Sequence, residues 1–289
     1  MSENMRGSLF MILAMAAFSV EDMLFKSLTQ ALPTGQVLTL FGVFGTCAFA
    51  VLLFGSGQSI WHRGMIGRIM AVRSLCELAG RLFFALALAL TPLSSASAIL
   101  QATPLFVTLG AVLFLGQTVG WRRWVAMSVG FGGVLLILRP GLEGFQPESI
   151  FALLGTLGFA GRDLATRASA PALGDHHLGL VGFLVLFVAG LTLWMIDGRT
   201  APMSAPELGT VGVVTIVGLF AYSALTKAMR KGDVAVIAPF RYTRLLFAIV
   251  LGIAVFGERP DLLTLIGGAV IVGTGIFTLV RQNAERAKR

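Results

Sequence analysis

Apolar residues run along this chain in ten long, nearly uninterrupted blocks separated by short polar connections. Each block is long enough for an α-helix that crosses the hydrocarbon core of a membrane, which takes about 20 residues. Because the apolar runs are continuous and do not alternate with polar residues, they predict helices and not membrane-spanning strands. The blocks cover residues 7–28, 35–54, 69–90, 93–115, 121–138, 148–168, 178–196, 208–228, 234–256 and 262–281.

The first block also resembles a signal peptide. Arg6 precedes its apolar run, and Ala14-Met15-Ala16 has the small residues of a cleavage site. Because this site falls too early in the apolar run, we expect the block to be retained as the first transmembrane helix.

Composition points to the same class of protein. Hydrophobic residues make up 56% of the 289 residues and charged residues only 12%, whereas a soluble chain carries about 25% charge. This composition excludes a soluble enzyme and a disordered scaffold. The net charge of +8 does not indicate a nucleic-acid partner, because the basic residues lie mostly in short loops between the apolar blocks.

The distribution of these basic residues predicts the orientation of the chain. With the N-terminus in the cytoplasm, twelve basic residues fall in inner segments and four in outer loops. Cytoplasmic loops carry the excess of Lys and Arg, so we expect both termini in the cytoplasm. The inner residues are Arg6, Arg63, Arg68, Arg122, Arg123, Arg167, Arg230, Lys231, Arg281, Arg286, Lys288 and Arg289, and the outer ones are Lys26, Arg139, Arg199 and Arg259.

Residues of predicted helices 1 and 4 recur in helices 6 and 9 at a constant offset of 141. Five helices per half is an odd number, so the second half must have the opposite orientation in the membrane. The sequence therefore predicts an all-α integral membrane protein with two inverted five-helix repeats, residues 1–143 and 144–289. Inverted repeats are typical of secondary transporters, whose substrate site lies near the midplane. The matched pairs are Phe18 with Phe159, Asp22 with Asp163, Lys26 with Arg167 and Gly116 with Gly257.

This layout resembles the ten-helix EamA-type proteins of the drug/metabolite transporter superfamily. Phe18 and Gln117 stand where that family often has Trp and Glu. Within the superfamily the chain is most similar to YddG-type exporters, which the resemblance links to aromatic amino acids and some cationic drugs. The matching features are Lys26 and Arg167, the run from Pro104 to Phe106, Phe114-Leu115-Gly116-Gln117 with its counterpart Val255-Phe256-Gly257-Glu258, and the glycine-rich helices that follow each.

Predicted helix 3 carries charged residues inside the membrane. Arg73, Glu77 and Arg81 are spaced four residues apart and share one face. A charge at the membrane centre costs about 2.5–3.5 kcal/mol, so it usually lines a cavity or has a partner. Since Glu77 can neutralise only one arginine, a positive charge remains. We expect Arg81 and Glu77 in the substrate site; the alternative is a purely structural ladder of ion pairs.

Predicted helices 9 and 4 each contain a proline near their centre. Pro239 precedes Tyr242 and Arg244, and Gln101 precedes Pro104. A proline removes a helical hydrogen bond, and backbone groups freed in this way can bind substrate. We expect these five residues to line the substrate site; the alternative is that each proline makes a packing kink.

Three further carboxylates lie in predicted helices 1 and 6. Glu21, Asp22 and Asp163 are candidates for coupling transport to protons or for binding an ammonium group, with Glu21 as the first choice. Asp22 and Asp163 are repeat equivalents, so a shared structural role is the alternative. Tyr222 is a candidate substrate contact, or a hydrogen bond between helices.

Several kinds of chemistry lack their motifs. No phosphate-binding loop, Cys/His cluster or catalytic nucleophile with a base occurs, so we expect no cofactor, no metal and no enzymatic activity. The expected partners are a small-molecule substrate and membrane lipids, with no nucleic acid.

We therefore predict a secondary transporter of the bacterial inner membrane. It would export small organic solutes, first of all aromatic or hydrophobic amino acids, by alternating access through a central cavity. An exporter of cationic drugs or other metabolites is the alternative within this class, and an ion channel is the alternative from another class.

Overall fold

The computed structural model describes residues 3–116, 121–138, 146–168, 174–230 and 238–286. Within these ranges the regular structure is helical throughout, with short 3₁₀ turns at Arg63–Met65 and Ala238–Tyr242. The α-helices are α1 (Glu3–Thr29), α2 (Thr34–Gly55), α3 (Arg68–Leu90), α4 (Leu93–Leu100), α5 (Thr103–Leu115), α6 (Trp121–Leu138), α7 (Ser149–Ala168), α8 (Asp175–Asp197), α9 (Ala205–Arg230), α10 (Thr243–Phe256) and α11 (Leu262–Arg286).

Two of the predicted spans are interrupted. Predicted helix 4 is divided at Gln101 and Ala102 into α4 and α5, and predicted helix 9 passes through the 3₁₀ turn Ala238–Tyr242 before α10. Residues 234–237 of that span lie outside the described residues. Pro104 stands in the first turn of α5, where its missing N–H has no helical partner to lose. The predicted break in helix 4 is therefore confirmed.

Five described stretches are long and apolar enough to cross a membrane by length and hydropathy alone. Two of the helices outside this set fail these length and hydropathy criteria for local reasons. α3 carries Arg68, Arg73, Glu77 and Arg81, and α10 has only 14 residues because the 3₁₀ turn precedes it. The five stretches are Met5–Thr29, Thr34–Gly55, Leu93–Phe114, His176–Asp197 and Ala205–Leu225.

The helices pack as antiparallel pairs. The main contacts join α1 to α9, α2 to α8, α3 to α7 and α6 to α11, while α10 packs against α1 and α4, and α7 against α4 and α5. We call the side of the bundle where α1 begins the near face and the side where α1 ends the far face. The charge bias predicts that the near face is cytoplasmic.

The contact between α2 and α8 shows why small residues recur in these helices. A side chain at Gly42 would collide with the backbone of Phe187, and one at Gly190 would collide with the backbone of Thr39. Phe183 fills the adjoining space with its ring 5.3 Å from that of Phe41. Close backbone approach is a general device for packing helices where lipid removes the hydrophobic driving force between them.

We expect Gly42→Ala to lower the midpoint of thermal unfolding in detergent, because the new methyl group would push α2 away from α8. Overpacking of this kind costs about 1–3 kcal/mol. The matched control is Gly132→Ala in α6, where a Cβ would meet nothing within 4 Å, so this variant should be as stable as the parent or more so. Equal losses in both variants would contradict this account of the α2–α8 contact.

Candidate functional site

An ion pair joins α1 to the start of α10 in the middle of the bundle. The guanidinium of Arg244 donates to Asp22 Oδ2 from Nη2 at 2.6 Å and from Nε at 3.3 Å. The Ser19 hydroxyl donates to the carbonyl oxygen of Arg244 at 3.1 Å, and the guanidinium lies 5.1 Å from the ring centre of Phe18. Two of the predicted site residues, Asp22 and Arg244, are therefore each other's partners.

Glu21 and Arg81 are charged neighbours near this ion pair, and no salt bridge joins the two side chains. Glu21 is only 6% exposed, and the positive charge acting on it most strongly is that of Arg81. Arg81 is half-buried, and its Nε has no hydrogen-bond partner in the described part of the chain. Its guanidinium lies 5.9 Å from the ring centre of Phe159. This pair retains donors and acceptors that a ligand can use.

A charged network between α3 and α7 extends from Arg81 toward the near face: the guanidiniums of Arg81 and Arg162 lie over the same Phe159 ring, at 5.9 and 5.0 Å. Glu77 pairs with Arg73 at 3.0 Å and with Arg162 at 3.6 Å, and Arg162 also pairs with Asp163 at 2.8 Å. Glu77 and Asp163, both predicted site residues, are thus paired with arginines, and no ion pair joins Glu77 to Arg81.

The two helix breaks present unpaired polar groups. Gln101 Nε2 and Tyr242 Oη are buried without a hydrogen-bond partner among the described residues. Each of these residues precedes a half-helix whose first residue is a threonine, and the hydroxyls of Thr103 and Thr243 donate to carbonyl oxygens three residues earlier. The backbone of Pro239 lies in the 3₁₀ turn, and its side chain lies outside the described residues.

Tyr222 is a neighbour of Arg162, and its ring packs edge to face on Phe49 at 5.6 Å. It therefore belongs with the network near the near face. The predicted site residues accordingly fall into two groups: the middle group holds Glu21, Asp22, Arg81, Gln101, Pro104, Tyr242 and Arg244, and the near-face group holds Glu77, Asp163 and Tyr222.

Ser97 is a further candidate site residue, which the sequence pattern did not reveal. Its hydroxyl is fully buried and has no hydrogen-bond partner among the described residues. It lies one helical turn before Gln101, so the two side chains share a face of α4. The run of serines at 94, 95 and 97 ahead of Gln101 is the signal that could have revealed it.

A recess of about 190 Å³ opens on the far face, away from the middle group. Of the polar side chains that line it, Glu258 and Ser94 are hydrogen-bonded to each other. The lining contains none of the site residues predicted from the sequence. Its residues are Pro92, Ser94, Ser95, Ile137, Gln146, Ser149, Glu258, Arg259, Pro260, Asp261 and Thr264.

We expect Asp22→Asn to destabilise the protein by about 3–5 kcal/mol, because it leaves the buried charge of Arg244 without its partner. The double variant Asp22→Asn/Arg244→Gln should unfold at a higher temperature in detergent than Asp22→Asn alone. The control is Asp197→Asn/Arg199→Gln, which removes an exposed pair at 3.3 Å and should change stability little. If the loss of stability in the double variant equalled the sum of the losses in Asp22→Asn and Arg244→Gln, this result would contradict the pairing.

Comparisons with known proteins agree with a transporter. The S-adenosylmethionine uptake transporter of Rickettsia felis is 24% identical over 96% of this chain and 94% of its own. The pseudopaline exporter of Pseudomonas aeruginosa is 27% identical over 92% and 93%, and the riboflavin transporter of Rhizobium johnstonii is 28% identical over 98% and 93%.

A protein of known crystal structure has the same fold. It superposes with a TM-score of 0.63 at 20% identity, covering 98% of this chain and 99% of the other. The EamA-like transporter family matches residues 5–139 and again residues 147–281. These two matches span nearly the whole chain, which therefore belongs to the EamA-like transporter family of multi-span membrane transporters.

Proposed function

We propose that this protein is a secondary transporter of the bacterial inner membrane that exports small organic solutes carrying an α-amino-acid group. Aromatic and hydrophobic amino acids are its first expected substrates. The proposal rests on its membership of a transporter family and on the chemistry of the middle group of residues.

The single observation that carries the proposal is that Glu21 and Arg81 are charged neighbours and that neither forms an ion pair within the described part of the chain. A zwitterionic amino acid needs a cation for its carboxylate and an acceptor for its ammonium group. Arg81 has an unpartnered Nε, and Glu21 is a buried carboxylate that is 6% exposed. A ligand that inserts between the two side chains would satisfy both charges, whereas Asp22 and Arg244 already satisfy each other.

The helix contacts support alternating access between two inverted halves, residues 1–143 and 144–289. In such a repeat α2 corresponds to α8 and α6 to α11, and each of these helices packs against its counterpart. In the same repeat α1 corresponds to α7 and α3 to α9. The contact of α1 with α9 is therefore the counterpart of the contact of α7 with α3, and both contacts are present. A rocking motion of one half against the other would expose the middle group to each side in turn.

The relatives are named for several kinds of cargo. The relatives compared above are named for S-adenosylmethionine, pseudopaline and riboflavin, and none of these is a standard aromatic amino acid. S-adenosylmethionine shares with phenylalanine an α-amino-acid group and an aromatic ring. The rings of Phe18 and Phe159 lie beneath the guanidiniums of Arg244 and Arg81 and offer an aromatic wall for either solute.

Flux into proteoliposomes tests this function directly. Purified protein would be assayed with radiolabelled phenylalanine, S-adenosylmethionine, threonine and glucose, with and without a pH gradient. We expect saturable phenylalanine flux that unlabelled tryptophan competes away. A requirement for the gradient would identify a proton-coupled exporter with Glu21 as the leading coupling group. Saturable flux of S-adenosylmethionine alone would replace the aromatic amino acids as cargo, and flux of none of the four would refute the amino-acid proposal.

We expect Arg81→Met to lower the transport efficiency for phenylalanine by about 10- to 100-fold, because a hydrogen bond to a charged group contributes about 1.5–3 kcal/mol. Lys227→Met is the matched control, since that ammonium group is exposed near the near face and should not affect flux. An exporter of cationic drugs would behave in the opposite way. It would lose transport on Glu21→Lys and tolerate Arg81→Met.

A further inference from the structure

Glu258 binds the start of α4 at the far face. Its carboxylate accepts hydrogen bonds from the backbone N–H of Leu93 at 2.5 Å, the backbone N–H of Ser94 at 3.0 Å and the Ser94 hydroxyl at 2.7 Å. The first N–H groups of a helix have no partner within the helix and carry a partial positive charge. A carboxylate at this position therefore makes charge-assisted bonds, which are the strong ones.

Lys26 holds the other side of the same turn. Its ammonium group donates to the carbonyl oxygens of Leu88 at 3.0 Å and Thr91 at 2.5 Å, at the end of α3. It lies 5.4 Å from the ring centre of Phe256 and interacts electrostatically with Glu258. Lys26 thus binds the end of α3 and Glu258 binds the start of α4, on the two sides of the short connection between these helices.

These contacts close the bundle between the far-face recess and the middle group. Ser94 and Glu258 line the recess, and the unpartnered side chains of Ser97 and Gln101 lie one and two turns deeper on α4. Lys26 and Ser94 belong to the first half of the chain and Glu258 to the second. Any motion that opens the far face by separating the halves must therefore break the bonds of Glu258.

We propose that Lys26 and Glu258 are positioning residues that lock the far face, so that the two halves cannot separate there until the bonds of Glu258 break. This inference rests on the alternating access of the proposed function.

Cysteine labelling measures the lock without any substrate. In a Cys47→Ala/Cys76→Ala background, Ser97→Cys places a thiol just beneath the lock. A membrane-impermeant maleimide applied from the far face of oriented membrane vesicles should label it slowly. Adding Glu258→Gln should raise the labelling rate about tenfold, and Lys26→Met should raise it as well, because charge-assisted bonds of the closed state are lost.

Matched controls separate the lock from general loosening. Arg259→Gln removes the neighbouring charge of the same recess, and Lys227→Met removes a lysine at the other end of the bundle; neither should change the labelling rate.

An unchanged labelling rate in Glu258→Gln, or in Lys26→Met if Glu258→Gln does not fold, would overturn the lock. The result is independent of the cargo. Saturable flux together with unchanged labelling would refute the lock and leave the transport function in place. Faster labelling together with no flux of the four probes would support the lock and refute the amino-acid cargo.

Discussion

An arginine or aspartate in the hydrocarbon core has no water to solvate it, so an opposite charge within the bundle must do so. Asp22 of α1 meets this requirement with Arg244 of α10, and Glu77 of α3 meets it with Arg162 of α7. Each pair joins a helix of the first half to a helix of the second. The assignment of these pairs decides which intramembrane charges have partners, and Glu21, Arg81 and Arg241 stand outside the ion pairs of the described residues.

Close packing of the backbone is what brings these charges within reach. A Cβ on Gly158 of α7 would collide with the backbone of Gly80 in α3, so the two helices touch where neither has a side chain. Glu77 lies one turn from this crossing and Arg162 one turn beyond it on the other helix, at 3.6 Å. These glycines therefore allow the helices to pack closely and also bring the charged side chains within ion-pair distance.

The described bundle has three polar levels with different properties. The level toward the near face is an ion-pair network, and the far-face level is a set of bonds between Lys26, Glu258 and helix ends. Between them, the middle level combines a satisfied ion pair with donors that have no partner at Arg81, Gln101 and Tyr242. Unsatisfied buried polar groups are costly, and those of the middle level are groups that a bound solute would satisfy.

The sequence by itself determined the helices and their breaks. Predicted helix 5 coincides with α6 at residues 121–138, and Gln101 and Pro104 marked the division of helix 4, because helical hydrogen bonds join residues only four apart. The sequence also showed that Glu77 can neutralise only one of Arg73 and Arg81, without deciding which. The structure shows that Arg73 is the partner.

Only the tertiary structure decided which polar groups meet. Arg244 binds Asp22 across 222 residues, Glu258 binds Leu93 across 165, and Lys26 binds Leu88 across 62. No local sequence pattern indicates partners that are so far apart along the chain. Several carboxylates were also available to each cation. Ser97 was missed for the same reason: a serine in a helix usually has a local partner, and only the packing around α4 left this one without.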